Sequence, residues 1–300
     1  MNGFLAVDKP LGRTSSDAVL FVRKRLPRGT AVGHGGTLDP EASGILPVCI
    51  GAATRLFDFI VDKQKTYVAE LQLGTETDTQ DATGQTVCSL PVRCGEADLA
   101  AVLPRFTGDI LQIPPMYSAI KRDGKRLYQL ARKGETIDVE PRSCHVDSIR
   151  LLRQTGENRY QLQVCCGRGV YIRTLCHDIG RALGCGGHMA SLRRTSAGIF
   201  REENSHTLEQ IDLLARENRL GEALLPMDAP LHFMPAVHVT GERCAHAVKN
   251  GNPLKPEWFD TSAPQDTGFV RIYLDEQFAG VGEPMPDGTV RFRAMLLRSE

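Results

Sequence analysis

Residues 67–73 read Tyr67-Val68-Ala69-Glu70-Leu71-Gln72-Leu73, and their alternation decides the fold class. Tyr67, Ala69, Leu71 and Leu73 fall on one face, the period-two signature of a half-buried strand. Working outward, residues 3–7, 45–50 and 159–166 read as further strands. Helices are expected at 15–26, 52–61, 98–106 and 171–183. For the first, Ser15-Ser16-Asp17 offers N-cap side chains and Pro27-Arg28-Gly29 stops it. In the second, Leu56, Phe57 and Ile60 turn inward. Strands and helices are both plentiful but rarely alternate as βαβ units. The expected fold is therefore α+β, with a mainly antiparallel mixed sheet flanked by helices.

The 300 residues, 41% apolar and 24% charged, suffice for one large domain or two ordinary ones. Past residue 202 the chain turns acidic, with two short helices expected near 207–218 and 221–225 before Pro226 and Pro230. Short strand-like runs then alternate with turns at 236–239, 268–274, 279–282 and 289–292. We expect domains at 1–229 and 230–300, the second a compact β-barrel. No run approaches the ~20 apolar residues of a membrane span, so the cytoplasm is the default location. Nine cysteines, odd in number and without a CxxC pair, read as mostly buried thiols in a reducing compartment. No heptad run or long apolar stripe is present, which makes a monomer the default.

Net charge is zero, but its distribution is uneven. Residues 111–201 carry sixteen Lys/Arg against seven Asp/Glu, residues 202–228 two against seven, and residues 229–300 seven against nine. A basic middle fits a polyphosphate partner on one face and equally fits a solvated charged surface. The candidate phosphate contacts are Lys121, Arg122, Lys125, Arg126, Arg132 and Lys133.

The segment Gly33-His34-Gly35-Gly36-Thr37-Leu38-Asp39-Pro40-Glu41-Ala42-Ser43-Gly44 carries the chemistry. Its glycines allow close backbone approach, and Pro40 biases Asp39 toward extended geometry. Two readings stand: a carboxylate presented from a defined loop, or a turn or phosphate cradle. A Walker loop is excluded because the Gly-Lys-Ser/Thr ending is missing.

This segment, with Ser43-Gly44-Ile45-Leu46-Pro47, resembles the catalytic-aspartate motif of the TruB family of tRNA pseudouridine synthases. Four other blocks match in order across residues 3–200. They are Asp8-Lys9-Pro10 with Thr14-Ser15-Ser16; Lys65-Thr66-Tyr67 with Asp81-Ala82-Thr83-Gly84; Pro114-Pro115-Met116-Tyr117-Ser118-Ala119; and Gly169-Val170-Tyr171-Ile172-Arg173-Thr174-Leu175 running on to Leu192-Arg193-Arg194-Thr195. Gly35 and Val170 depart from the family pattern, where threonine is expected. The tail at 230–300 loosely resembles the PUA-type RNA-binding barrel of these enzymes.

The resemblance implies a pseudouridine-synthase fold and a cofactor-free, metal-free isomerisation of the T-loop uridine conventionally numbered 55 in tRNA. Asp39 would be the catalytic carboxylate, Arg173 its bidentate partner, and Tyr67 the ring that stacks on the target base and moves a proton. His34 would enter the RNA loop vacated by the flipped nucleotide. Lys9, Tyr171 and Leu192 fall on active-site positions, with Leu192 an apolar wall and Lys9 structural, and Asp81 would hydrogen-bond within this polar network. The expected partner is the T stem-loop of tRNA, without guide RNA or obligate protein. A guide-dependent synthase and a non-catalytic RNA chaperone are the alternatives.

Overall fold

The computed structural model describes residues 1–61, 63–115, 121–122, 125–126, 137, 139–260 and 268–297, with residues 121–122 and 125–126 described by their backbone alone. Among the described residues of the first 229 are fourteen strands: β1 (Gly3–Lys9), β2 (Val32–His34), β3 (Ala42–Ile50), β4 (Lys65–Leu73), β5 (Thr75–Thr77), β6 (Thr86–Ser89), β7 (Gly108–Gln112), β8 (Lys121–Arg122), β9 (Lys125–Arg126), β10 (Arg142–Gly156), β11 (Arg159–Cys166), β12 (Gly187–Ala197), β13 (Phe200–Arg201) and β14 (Ser205–Thr207). Ten of them form one sheet in the order β14-β1-β3-β12-β4-β11-β10-β7, with β13 on β12 and β2 on β3. Only β1–β14 and β3–β12 pair in parallel, so the sheet is mixed and mainly antiparallel.

The expected strand lies at the centre of this sheet. β4 alternates buried and half-buried residues along its whole length, between β12 and β11. Its buried face (Tyr67, Ala69, Leu71, Leu73) shares a core with Ile172, Leu175, Cys176 and Ile179 of the Ile172–Ala182 helix. β1 is instead covered on both faces. Leu5 and Val7 meet Ala18 and Val22 of the Ser15–Arg23 helix and Ile211 of the Leu208–Arg216 helix. Phe4 and Ala6 face Ile60, Phe278, Val281 and Leu296. A strand buried on both sides reads as a continuous apolar run, which is why its alternation is weak in the sequence.

Local capping sets the first helix. Its N-cap is Thr14, whose hydroxyl accepts from the Asp17 amide at 3.0 Å while Asp17 accepts from the Thr14 amide at 2.9 Å. Ser15, expected at the cap, is used elsewhere. The helix expected at 52–61 is instead a 3₁₀ segment, Gly51–Leu56, and a single α turn, Phe57–Ile60. Thr54 turns its hydroxyl back onto the Gly51 carbonyl at 2.7 Å, the competition with helix that β-hydroxyl residues offer. The second acidic helix is likewise only a 3₁₀ turn, Leu220–Ala223.

Beyond residue 230 stand β15 (Ala236–Val239), β16 (Val270–Leu274), β17 (Gln277–Pro284) and β18 (Val290–Met295), with the Glu242–Asn250 helix between the first two. They enclose a separate core of Val237, Val248, Ile272 and Val290. A closed barrel is not shown: among the described residues the sheet is open, in the order β15-β16-β17-β18. Single bridges, Val239↔Phe259 and Leu254↔Val290, lay the intervening segment against both outer strands. Pro256 and the Pro256–Trp258 3₁₀ turn interrupt that segment, so it supplies no continuous ladder. All nine cysteines are free thiols and six are buried. No helix among the described residues is long and apolar enough to cross a membrane.

Candidate active site

Asp39 stands on the loop between β2 and β3, and each neighbour on that loop is tied down. The Ser15 hydroxyl donates to the Leu38 carbonyl at 2.9 Å and accepts from the Leu38 amide at 2.8 Å, in a buried setting. The Gly12 amide donates to the Pro40 carbonyl at 2.8 Å, and the Ala42 amide to the Asp39 carbonyl at 3.0 Å. Farther back, the Gly35 amide reaches the Pro47 carbonyl at 2.7 Å. Gly35 packs closely there: a Cβ would stand 2.9 Å from Ile60 Cδ1 and 3.3 Å from Pro47 Cβ. The glycine found where threonine was expected thus matches a loop seated directly on Ile60. At Gly44 the demand is stricter, since φ is +102° and a Cβ would lie 2.2 Å from the Arg194 carbonyl oxygen.

The carboxylate meets Arg173, which projects from the first turn of the Ile172–Ala182 helix. Arg173 Nη2 lies 3.0 Å from Asp39 Oδ2, with the arginine side chain 8% exposed and the aspartate 45%. The other nitrogen, Nη1, turns to Asp81 Oδ2 at 3.4 Å and to the Thr79 carbonyl at 3.5 Å. The guanidinium is thus shared between two carboxylates. Asp81 can hold its half because its other oxygen accepts from Thr79 Oγ1 at 2.7 Å, Thr83 Oγ1 at 2.6 Å and the Thr83 amide at 3.0 Å. Thr174 fastens the same turn by donating to Gln80 Oε1 at 2.8 Å. A buried, shared guanidinium fixes the angle at which Asp39 is offered to solvent.

Tyr67 is buried on β4, directly opposite Arg194 of β12. Burial pushes its phenol up, and the nearby Arg194 charge opposes that rise. Lys9 is fully buried and donates to the carbonyls of Pro10 at 3.0 Å and Arg13 at 2.6 Å, a structural clamp on the adjacent turn. Burial pushes its amine down, while Asp39 and Glu41 partly restore it. His34 ends β2 rather than projecting from an open loop, and its Nδ1 is buried without a hydrogen-bond partner among the described residues. Burial, seconded by Arg194, holds its pKa below the usual histidine value.

Tyr171 is the N-cap residue of the helix that carries Arg173. Its amide donates to Gln112 Oε1 at 3.0 Å and its carbonyl accepts from Gln112 Nε2 at 3.2 Å. Leu192 is half-buried, in register with Ala42 of β3 and Ala69 of β4, and packs against the core of the sheet. The structure thus gathers Asp39, Arg173 and Asp81 in one ion-pair network. Lys9 and Tyr67 both lie within the field of Asp39. Of the basic candidates, Lys121 pairs with Arg126 and Arg122 with Lys125 across the β8–β9 ladder. Their side chains, Arg132, Lys133 and the Met116-Tyr117-Ser118-Ala119 block lie outside the described residues.

Three supporting residues were not singled out from the sequence: Ser15 as the loop anchor, Gln112 as the bracket on Tyr171, and Arg194. No spacing signal marks Gln112. Arg194 sits inside a quoted block, yet nothing local distinguishes a buried arginine from its half-buried neighbour Arg193, which grips Asp8 at 2.9 Å.

Comparison with known proteins bears on the family of the chain. The model of the "TruB family pseudouridylate synthase (N terminal domain)" matches residues 24–172, and that of the "tRNA pseudouridylate synthase B C-terminal domain" matches 173–232. The tRNA pseudouridine synthase B of Dechloromonas aromatica is 45% identical over 285 residues, covering 95% of this chain and 92% of the relative. That of Stutzerimonas stutzeri is 43% identical over 305 residues, covering 100% and 97%. Among solved structures, a chain of a Cbf5–Nop10–Gar1 complex aligns with a TM-score of 0.72 at 30% identity, over 94% of this chain and 78% of that one. A chain of an H/ACA RNP bound to a substrate RNA containing 2′-deoxyuridine aligns at 0.74 and 26%, over 98% and 85%. With full-length relatives at this identity and a sheet that superimposes on the same fold, the chain belongs to the TruB family of pseudouridine synthases.

Proposed function

We propose that this chain isomerises a uridine of tRNA to pseudouridine, at the T-loop position conventionally numbered 55, with Asp39 as the catalytic carboxylate. The observation that carries the reading is the Arg173 guanidinium shared between Asp39 and the fully hydrogen-bonded Asp81. The reaction breaks the N1–C1′ bond, turns the uracil and joins C5 to C1′, with no change of oxidation state. A fixed carboxylate serves as nucleophile at C1′ or C6, or as the group that takes a C2′ proton; Arg173 balances its charge in each case. Tyr67, within the field of Asp39, offers a ring for stacking and a hydroxyl, and Leu192 closes the apolar side. The C5 proton left after rejoining must depart while N1 gains one; Tyr67 is assigned both transfers, giving its phenolic proton to N1 and taking the C5 proton in return. A stacked uridine does not reach this depth, so the nucleotide is flipped out, with His34 at the mouth of the loop.

We assign residues 1–229 to catalysis and 230–300, with their separate core, to an accessory RNA-binding module of the PUA kind. A stand-alone cytoplasmic enzyme is favoured over a guide-dependent one. The relatives named tRNA pseudouridine synthase B are matched at 43–45% identity over nearly their full length, against 26–30% for the H/ACA and Cbf5 chains. The test is incubation of unmodified tRNA with the purified chain in chelator, without guide RNA, followed by mapping. Pseudouridine at the T-loop position supports the assignment; modification only on addition of guide RNA, or at another site, refutes it.

A further inference from the structure

Arg194 is the largest fully buried side chain in the structure, at 1% exposure. Its Nε donates to the Ile45 carbonyl at 2.6 Å and its Nη2 to the Gly36 carbonyl at 3.1 Å. Two neutral carbonyls therefore anchor it, and among the described residues it forms no ion pair with a carboxylate. A buried cation left without a counter-charge is costly to desolvate. Such a residue is kept where its charge acts on something else. Its field reaches three groups singled out from the sequence, namely Lys9, His34 and Tyr67.

Among them Tyr67 is in register with it across the β12–β4 ladder, and both side chains are buried. A guanidinium has donors and no acceptor. In a bond between the two the phenolic oxygen would accept, and the phenolic proton would be left to point elsewhere. We propose that Arg194 is a positioning residue: anchored on Gly36 and Ile45, it holds the Tyr67 hydroxyl as a hydrogen-bond donor directed at the base. Negative charge that collects on uracil as N1 leaves C1′ would meet a phenolic proton backed by a buried cation. The phenol gives that proton to N1, the same cation supports the phenolate so formed, and the phenolate then takes the C5 proton, which restores the phenol. This inference rests on the functional reading above.

The test compares R194K, R194M, Y67F and the Y67F/R194K pair in single-turnover conversion of tRNA and in tRNA binding. R194K, which keeps charge but loses the fork, lowers the rate on the order of 10²-fold, as a misplaced group does, with tRNA affinity retained. In the Y67F background R194K has no further effect, because its route to the base is already gone. A wild-type rate for R194K, or losses that multiply in the double variant, overturns the proposal. Titration of tyrosinate absorbance, with Y67F as the reference, reads the pairing without activity. The Tyr67 signal moves to higher pH in R194K or R194M, and an unmoved signal overturns the pairing. Should R194M fail to fold, R194K serves alone in both measurements. If the wild-type chain makes no pseudouridine, the functional reading falls, while the titration still decides whether Arg194 governs Tyr67.

Discussion

Replacing Arg173 with lysine separates two effects that the structure places on one side chain. Toward Asp81 the guanidinium is a buried partner, with the two side chains 8% and 9% exposed. Asp81 Oδ2 has Arg173 Nη1 as its partner, whereas Oδ1 is held by three donors. Losing a charge-assisted bond to a buried carboxylate costs about 1.5–3 kcal/mol. Toward Asp39 the pair is nearly half exposed on the carboxylate side, so its share of stability is only about 0.2–1 kcal/mol after solvent screening. A single ammonium cannot face Asp39 and Asp81 together, so R173K loses stability mainly through Asp81 and rate mainly through Asp39. Urea unfolding should show a loss of roughly 2–3 kcal/mol with an unchanged slope. Single-turnover conversion should fall on the order of 10²-fold, with tRNA binding within a few-fold of wild type. A variant as stable as wild type, or one that is destabilised but turns over normally, would refute the shared-guanidinium argument.

Other perturbations test the surrounding frame. Ser15→Ala leaves the Leu38 amide and carbonyl unpaired in a buried place; we expect about 1–3 kcal/mol lost in chemical denaturation, together with a reduced rate constant at saturating tRNA. Gly44→Ala cannot fit its Cβ against the Arg194 backbone, and the variant should be recovered as unfolded or aggregated protein; a soluble, active G44A contradicts the parallel β3–β12 register. His34 has a folded-state pKa below its unfolded one, so below the usual histidine range the unfolded chain binds the extra proton and stability falls with pH. His34→Gln should reduce the loss of stability between neutral and mildly acid pH, measured by denaturant midpoints, and an identical loss in both proteins argues against an enclosed imidazole.

Strands with one wet face were legible because alternation is a local signal, and β4 and β15 begin and end close to where the pattern places them. β10 runs for 15 residues, Arg142–Gly156, with mixed polar and apolar exposure and three irregularities in its pairing with β11, so no clean period marks it. The 3₁₀ segment at Gly51–Leu56 was misread as helix because its inward residues have helical spacing, while Thr54 and Gly51 decide the backbone. Asp39 and Arg173, 134 positions apart, were brought together only by family resemblance; the ladder from β3 through β12 and β4 explains how they meet. Burial of charge was the hardest property to foresee. Lys9, Lys65 and Arg194 carry long polar side chains that are ordinarily exposed, and their carbonyl partners come from distant or irregular backbone. At the C-terminus the strands were legible, whereas the segment laid against both outer strands carries a proline-bearing turn and only single bridges, which no alternation marks.

The central claim is that Asp39 does the chemistry while the rest of the site positions it. Asp39→Asn keeps the shape and removes the charge. In single-turnover reactions on unmodified tRNA transcript it should yield no pseudouridine at the T-loop position while binding the transcript with near wild-type affinity. Conversion at the wild-type rate by D39N would contradict the account.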